Sequence, residues 1–368
     1  MPAVHRPLQD ESKLAPVAEP AADSGGYSYR WLTMSELPLL NDLYNACLRC
    51  DRPMEEAEWL YRNPCGAAMI MAAFDAGGEL AGVRPAIPWK LSWQGEERTA
   101  YEFCDALVDP RHRNRGIFTR LVGLICEWAA RNDFTLFTIP NSRSLSVYER
   151  TGLLQVIGNC ETLVQPISWP CYARYIGHRL GLNSYEGPPL SDNPHEEPVA
   201  DGDILLTPVS RFRSDFVRIH SELAKTVGAF TRRRAQFLQW RYFGSPVRHY
   251  HVALIKRRGR VRGYLAIRMV DGIAHVLDVF IKPDMELACG TFRALNAWVR
   301  QMNAIAIHFT ASQDNFYHRA AQHAGFWLKK TSGSLLLDSR SARRFASQRN
   351  GGLEMRDFYF VMGDFDFI

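Results

Sequence analysis

The sequence has no apolar run approaching the roughly 18 residues that a membrane-spanning helix needs. Its N-terminus also lacks the charged-then-apolar pattern of a secretory leader. A cytoplasmic location with no membrane span is therefore the expectation. One-sided charge is missing too. Forty-four basic residues against 39 acidic ones leave a net charge of +5, too mild to point to nucleic acid. The basic cluster Lys256-Arg257-Arg258-Gly259-Arg260 flanks a glycine and reads as a solvated hairpin turn. Paired metal-ligand cysteines are absent as well. Cys47-Leu48-Arg49-Cys50 is a lone pair with no second pair at zinc-site spacing, so no metal is expected. Cys104, within Phe103-Cys104-Asp105-Ala106, typifies cysteines that sit in apolar runs and read as reduced, buried thiols. Residues 1–26, rich in Pro, Ala, Asp, Glu and Gly, hold too little apolar surface to bury and read as a disordered tail.

What is present is a sequence that resembles itself. Trp59-Leu60-Tyr61-Arg62-Asn63-Pro64 is echoed by Trp240-Arg241-Tyr242-Phe243-Gly244-Ser245-Pro246, and Gly78 to Val83 by Gly259 to Tyr264. Trp59/Trp240 and Gly82/Gly263 share an offset of 181 residues. Further on, Asp105-Ala106-Leu107-Val108-Asp109-Pro110 matches Asp278-Val279-Phe280-Ile281-Lys282-Pro283, and Thr151-Gly152-Leu153 matches Ala324-Gly325-Phe326, both at an offset of 173. The register changes once, where the first half has a longer hairpin between Trp89 and Ala100. A first domain is placed at residues 27–182, a linker at 183–203 and a second domain at 204–368.

Each half gives the same order of elements. A helix (Ser35–Cys47; Ser210–Val227) precedes alternating strands, the clearest being Ala67–Phe74 and His251–Ile255. A strand ending in Asp-Pro or Lys-Pro leads to a helix (Ile117–Asn132; Cys289–Asn303). Another strand follows (Thr135–Ile139; Ala304–Thr310), then a short helix ending at glycine, then a last strand. The expected fold class is α/β, a mixed sheet with helices on both faces, present twice in tandem.

The chemistry concentrates in Leu107-Val108-Asp109-Pro110-Arg111-His112-Arg113-Asn114-Arg115-Gly116-Ile117-Phe118-Thr119. A strand ends at Pro110, and a polar loop with three arginines leads to an amphipathic helix. Leu121, Leu124, Ile125 and Trp128 fall on one face of that helix. A loop entering a helix presents backbone N–H groups and the positive end of the helix dipole, a site for phosphate oxygens. Gly116 allows close backbone approach. Downstream, Asn141, Ser144, Tyr148 and Gly152 punctuate a short helix; Ser142 can cap its start and Gly152 its end. Ser144, Tyr148 and Gly152 share one face.

These two stretches resemble the GNAT acetyltransferase superfamily. Its phosphate loop reads Arg/Gln-x-x-Gly-x-Gly/Ala, and Arg113-Asn114-Arg115-Gly116-Ile117-Phe118 matches it except at Phe118, which stands in place of a small residue. Its second signature is Asn, a small residue, Tyr, then Gly followed by an apolar residue, and Asn141, Ser144, Tyr148, Gly152 and Leu153 fill those places. The resemblance implies that acetyl-CoA, or another acyl-CoA, is the co-substrate, held by Leu107, Val108, Arg113, Asn114, Arg115, Gly116, Ile117, Phe118, Thr119, Asn141 and Ser144. It implies direct attack of a primary amine on the thioester, an oxyanion held by a backbone N–H of Ala106–Val108, and protonation of the leaving thiolate by Tyr148. Glu102 and Asp105 are the base candidates. Being three apart on a strand, they are expected on opposite faces. Asp105 has a counterpart, Asp278, so a structural role fits it and Glu102 is the candidate base.

The second half is expected to be inert. At the 173 offset, Arg113 becomes Glu286, Arg115 becomes Ala288, Gly116 becomes Cys289 and Tyr148 becomes Ala321. Tyr317 stands two turns before Gly325 and does not replace Tyr148. The form Arg115-Gly116-Ile117-Phe118 resembles GNAT proteins of bacterial surface-sugar gene clusters, which implies an amino sugar or nucleotide-linked amino sugar as acceptor. Two other readings are an aminoacyl-tRNA-dependent peptidoglycan-bridge transferase and a non-catalytic acyl-CoA-binding regulator or scaffold. The intact phosphate loop disfavours the first, and Tyr148 the second.

Overall fold

The computed structural model describes residues 25–188, 197–212, 227–348 and 352–364. They form two compact units. One is the chain up to Trp89 together with Thr99–Thr138, and the other is Lys90–Arg98 together with the chain from Ile139 onward. These units are not the sequence repeats. The strand Leu154–Pro166, late in the first repeat, pairs antiparallel with Ala306–Ser312 on one side and Trp327–Asp338 on the other, both from the second repeat.

In the first unit the strands run in the order Ser28–Leu32, Met69–Phe74, Leu80–Trp93, Glu96–Phe103, Thr135–Thr138. The first three are antiparallel neighbours, and the last two are parallel. The helix expected from Ser35 starts at Leu37, because Thr33 to Glu36 forms its own turn in which the Glu36 carboxylate accepts from the Thr33 N–H at 2.9 Å. Arg30 pairs with that carboxylate at 2.7 Å and holds Glu36 down at about 2. The helix Ile117–Arg131 buries Leu121, Ile125 and Trp128, as its periodicity predicts, with Trp128 edge-on to Trp31 and Tyr101.

In the second unit the order is Trp327–Asp338, Leu154–Pro166, Ala306–Ser312, Ile273–Ile281, Arg260–Val270, His251–Arg257, Ile204–Pro208, Val199–Asp201. Ile273–Ile281 and Ala306–Ser312 are parallel, their register running from Ile273↔Ala306 to Val276↔Phe309. The hairpin tip Lys90–Arg98, which makes the first repeat longer, packs within this unit. Trp93 pairs with Ala229, and its ring stacks on Phe345 with centroids 4.2 Å apart. The helix expected at Cys289 begins at Met285, because the Asp284 side chain accepts from the Leu287 N–H at 3.0 Å and caps it. Most of the helix expected at 210–227 lies outside the described residues.

One buried cluster of this unit is expected to make it acid-sensitive. His308 and His275 are cross-strand neighbours with rings 5.3 Å apart, and the Tyr172 hydroxyl lies 3.2 Å from His308 Nε2. Burial, with the Lys329 ammonium second, pushes His308 down to about 2 and His275 to about 4. Both rings stay neutral in the folded chain, while in the unfolded chain they titrate near 6.5. As pH falls below that value the unfolded state takes up protons that the folded state refuses, so stability drops. The urea midpoint is expected to fall between pH 7.5 and pH 5.0, and by less in a His275→Gln variant. An equal fall in both would rule out this cause.

Candidate active site

The candidate cofactor loop is built on a short strand and a glycine contact. Leu107–Val108 pairs antiparallel with Gly82–Val83. A Cβ at Gly82 would lie 2.9 Å from the Leu107 carbonyl oxygen and 3.2 Å from Ile117 Cγ2, so only glycine lets these segments approach. Asp109 then turns the chain: its N–H donates to the Ala81 carbonyl at 3.0 Å and its carboxylate accepts from the Arg111 N–H at 2.8 Å. Arg111 hydrogen-bonds that carboxylate and draws it down to about 2.

Arg113 folds back, its Nε donating to the Val108 carbonyl at 3.2 Å. Asn114 (φ +62°) and Gly116 (φ +79°) are both left-handed, and Gly116 is the N-cap of the helix Ile117–Arg131. The first helical bond runs from the Arg120 N–H to the Gly116 carbonyl, so the helix opens with its N-terminal turn at the loop. Arg113, Asn114, Arg115 and Thr119 are exposed, Ile117 is buried and Phe118 half-buried. Arg115 Nη1 donates to the Tyr27 hydroxyl at 3.2 Å, and that hydroxyl lies 2.9 Å from His112 Nδ1. Exposed cations, a glycine in the left-handed region and a helix start are the features that hold pyrophosphate oxygens. These residues fit a coenzyme A pyrophosphate.

Glu102 is buried on Glu96–Phe103, in register with Phe137 of the parallel strand. The opposite-face argument for Glu102 and Asp105 does not hold. The strand stops at Phe103, and Asp105 takes φ +37°, so strict alternation ends before it. Asp105 instead accepts from Arg52 Nη1 at 2.9 Å and from the Tyr61 hydroxyl. Sequence reasoning missed both partners. Arg52 and Tyr61 are 181 residues from Arg233 and Tyr242, the offset already seen at Trp59/Trp240.

The remaining predicted residues, Asn141, Ser144 and Tyr148, belong to the second unit. Asn141, not Ser142, caps the helix Ser142–Thr151, because its side-chain oxygen reaches the Ser144 N–H three residues on, at 3.0 Å. The Ser144 hydroxyl also lies 3.0 Å from that oxygen. Gly152 ends the helix at φ +63°, as expected. Tyr148 is fully buried.

The counterpart of the loop in the second unit is altered in three ways. Ala288 is buried inside the helix Met285–Gln301, whose start is capped by the Asp284 carboxylate. Glu286 pairs with Arg257 at 2.7 Å. Gly290 lies in mid-helix, where a Cβ would be 2.7 Å from Ile204 Cγ1, so it serves helix packing. Tyr317 is buried and donates to the Ile281 carbonyl.

The gap where the parallel strands part is also filled. Pairing of Ile273–Ile281 with Ala306–Ser312 ends at Val276↔Phe309. Beyond it lies the buried segment Phe358–Val361. On one side the Val279 N–H donates to the Tyr359 hydroxyl at 3.2 Å, and on the other the Ser312 N–H donates to the Phe360 carbonyl at 2.9 Å. Among the described residues no cluster of three or more His, Cys, Asp or Glu side chains could hold a metal, and no helix is long and apolar enough to cross a membrane. The cysteines are free thiols.

Residues 28–154 match the acetyltransferase (GNAT) domain family. No curated protein matches the sequence. Among solved structures, a GCN5-related N-acetyltransferase from Anabaena variabilis is similar at 13% identity and TM-score 0.60, over 84% of this chain and 72% of that one. The N-myristoyltransferase of Saccharomyces cerevisiae, solved with bound myristoyl-CoA, is similar at 10% identity and TM-score 0.57, over 87% of this chain and 84% of that one. At these identities the likeness shows the fold, and a match over most of the chain fits two tandem GNAT folds. The family match makes residues 28–154 a GNAT acetyltransferase domain, and the shared fold extends that likeness over most of the chain.

Proposed function

We propose that the protein transfers an acetyl group from acetyl-CoA to a primary amine, and that only the first repeat binds the co-substrate. The observation that carries this reading is the loop Arg113–Gly116, with its exposed arginines and its left-handed glycine at the start of a helix. Acetyl-CoA supplies the activated thioester. Glu102 takes the proton that the attacking amine must lose as its nitrogen bonds the carbonyl carbon. A backbone N–H of Ala106–Val108 holds the carbonyl oxygen as charge develops on it. Tyr148 gives its proton to the sulfur as the carbon–sulfur bond breaks.

The acceptor we favour is an amino sugar, on the strength of Arg115-Gly116-Ile117-Phe118 alone. A screen of amines against acetyl-CoA, reading released thiol, tests it, with glucosamine as the first probe. Tyr148→Phe is expected to lower kcat by roughly 10²-fold while leaving the affinity for coenzyme A unchanged. Wild-type turnover by that variant would leave Tyr148 a packing residue.

A further inference from the structure

The two repeats keep one polar set in common although their cofactor loops differ. In the first unit the Asp105 carboxylate accepts from Arg52 Nη1 at 2.9 Å and from the Tyr61 hydroxyl. In the second, Asp278 Oδ2 accepts from Arg233 Nε at 2.9 Å and from the Tyr242 hydroxyl at 3.2 Å. Arg52/Arg233 and Tyr61/Tyr242 are offset by 181 residues and Asp105/Asp278 by 173, the registers of the repeat itself. Each set gathers a residue shortly before a helix, one from that helix (Met54–Tyr61; Ala235–Phe243) and an aspartate, Asp105 just past the end of the strand after the hairpin and Asp278 within its counterpart.

In both units the aspartate stands where that strand loses its regular course. In the first, the strand breaks between Phe103 and Leu107, with Asp105 at φ +37°. In the second, the pairing with Arg260–Val270 shifts register between Ala266↔Asp278 and Ile267↔Val276. A non-glycine residue at positive φ persists only when its surroundings hold it there. Here the holding groups are a guanidinium and a phenol. Arg52 is itself fixed, with Nε on Asn41 Oδ1 at 2.7 Å and its plane 3.6 Å over the Tyr44 ring.

The second unit shows what such an irregularity makes available. The residue after Asp278 is Val279, and its N–H donates not to a neighbouring strand but to the inserted Tyr359 hydroxyl. The counterpart of Val279 in the first unit is Ala106, which leads into Leu107–Val108 and the cofactor loop.

We propose that Arg52, Tyr61 and Asp105 are positioning residues for acyl transfer: they hold the strand break that turns the Ala106 N–H out of the sheet to meet the acyl carbonyl oxygen. This rests on the acetyl-transfer reading above. The set touches no substrate and acts through the backbone of residues 104–107. Its copy in the second repeat holds the same irregularity, which there receives the chain's own Tyr359.

The duplicated set supplies the control for its own test. Tyr61→Phe and Tyr242→Phe each delete one hydroxyl from equivalent places in the full-length chain, a milder change than removing either carboxylate. The measurements are acetyl-CoA binding by calorimetry, kcat and KM for acetyl-CoA with glucosamine as probe acceptor, and melting temperature. Tyr61→Phe is expected to lower kcat by ~10²-fold, the scale for a misplaced reacting geometry, with KM changed less than about threefold. Tyr242→Phe is expected to lower the melting temperature without changing kcat. Wild-type kcat for Tyr61→Phe, or an equal kcat loss for Tyr242→Phe, would reduce the set to a stability element and overturn the inference while the acetyl-transfer reading stands. A wild-type chain that binds no acetyl-CoA would overturn both.

Discussion

Replacing Arg233 by methionine is expected to destabilise the folded protein by about 3–5 kcal/mol, the range for removing one partner of a buried ion pair. Arg233 is almost wholly buried, and so are both carboxylates it meets. Its Nε donates to Asp278 at 2.9 Å, its Nη2 to Asp364 at 2.8 Å and its Nη1 to the Thr231 carbonyl at 2.6 Å. The hydroxyls of Tyr242, Tyr264 and Tyr359 add further bonds to Asp278, at 3.2, 2.6 and 2.9 Å. One cation thus serves two anions, and burial already raises the Asp364 carboxyl above its usual range.

Without the guanidinium, two buried carboxylates would keep only neutral hydrogen-bond donors and no cation. They would respond by taking up protons, so the deficit should shrink as pH falls from 7 towards 4. Asp364→Asn should cost far less, because it removes one of the two anions and leaves the cation paired with Asp278. Urea unfolding of the three proteins at both pH values decides this. A loss below about 1 kcal/mol for Arg233→Met at pH 7 would mean that packing, not charge, holds this core.

The features of the site that could be read from the sequence are those whose cause is local. Gly116 and Gly152 announce themselves because a left-handed residue at a helix end selects glycine whatever lies around it. The helix Ile117–Arg131 was legible because its buried face follows from spacing alone. Competition between neighbours was harder to resolve. Asn141 and Ser142 can both cap a helix, and the choice fell to Asn141 because the helix begins one residue after it.

Long-range partners were hidden. Nothing near Asp105 reveals that its hydrogen-bond donors lie 53 and 44 positions earlier, at Arg52 and Tyr61. Even so, the repeat carries the set: Tyr61/Tyr242 and Asp105/Asp278 lie in its matched segments, and Arg52/Arg233 shares the 181 offset. The insertion of Phe358–Val361 was hidden for a related reason. The segment is aromatic or aliphatic at every residue, without the alternation of a half-buried strand, and its hydrogen-bond partners, Val279 and Ser312, are 80 and 48 positions away from Tyr359 and Phe360. The grouping of Leu154–Pro166 with second-repeat strands shows the same limit: duplication in sequence fixes the kind of element, while pairing decides which compact unit it joins.

Arg115→Glu is expected to abolish coenzyme A binding, and the unaltered chain to bind one molecule. The reason lies in what surrounds each helix start. In the first unit Arg113, Asn114 and Arg115 are exposed about Gly116, and the loop's own carboxylate, Asp109, is turned onto Arg111. A glutamate at 115 would place a negative charge where pyrophosphate oxygens need a donor, exchanging a charge-assisted hydrogen bond for repulsion. The fold should survive, since Arg115 is exposed and its hydrogen bond to the Tyr27 hydroxyl is only part-buried. The second unit carries changes of a comparable kind at its helix start. Asp284 caps the helix, Glu286 stands where Arg113 would be, and Tyr359 takes the N–H that follows Asp278. Calorimetric titration with coenzyme A, alongside melting curves for both proteins, separates the outcomes. Two equivalent sites per chain would show that the altered helix start still binds the co-substrate. Unchanged affinity in a folded Arg115→Glu protein would move the pyrophosphate away from Arg113–Gly116.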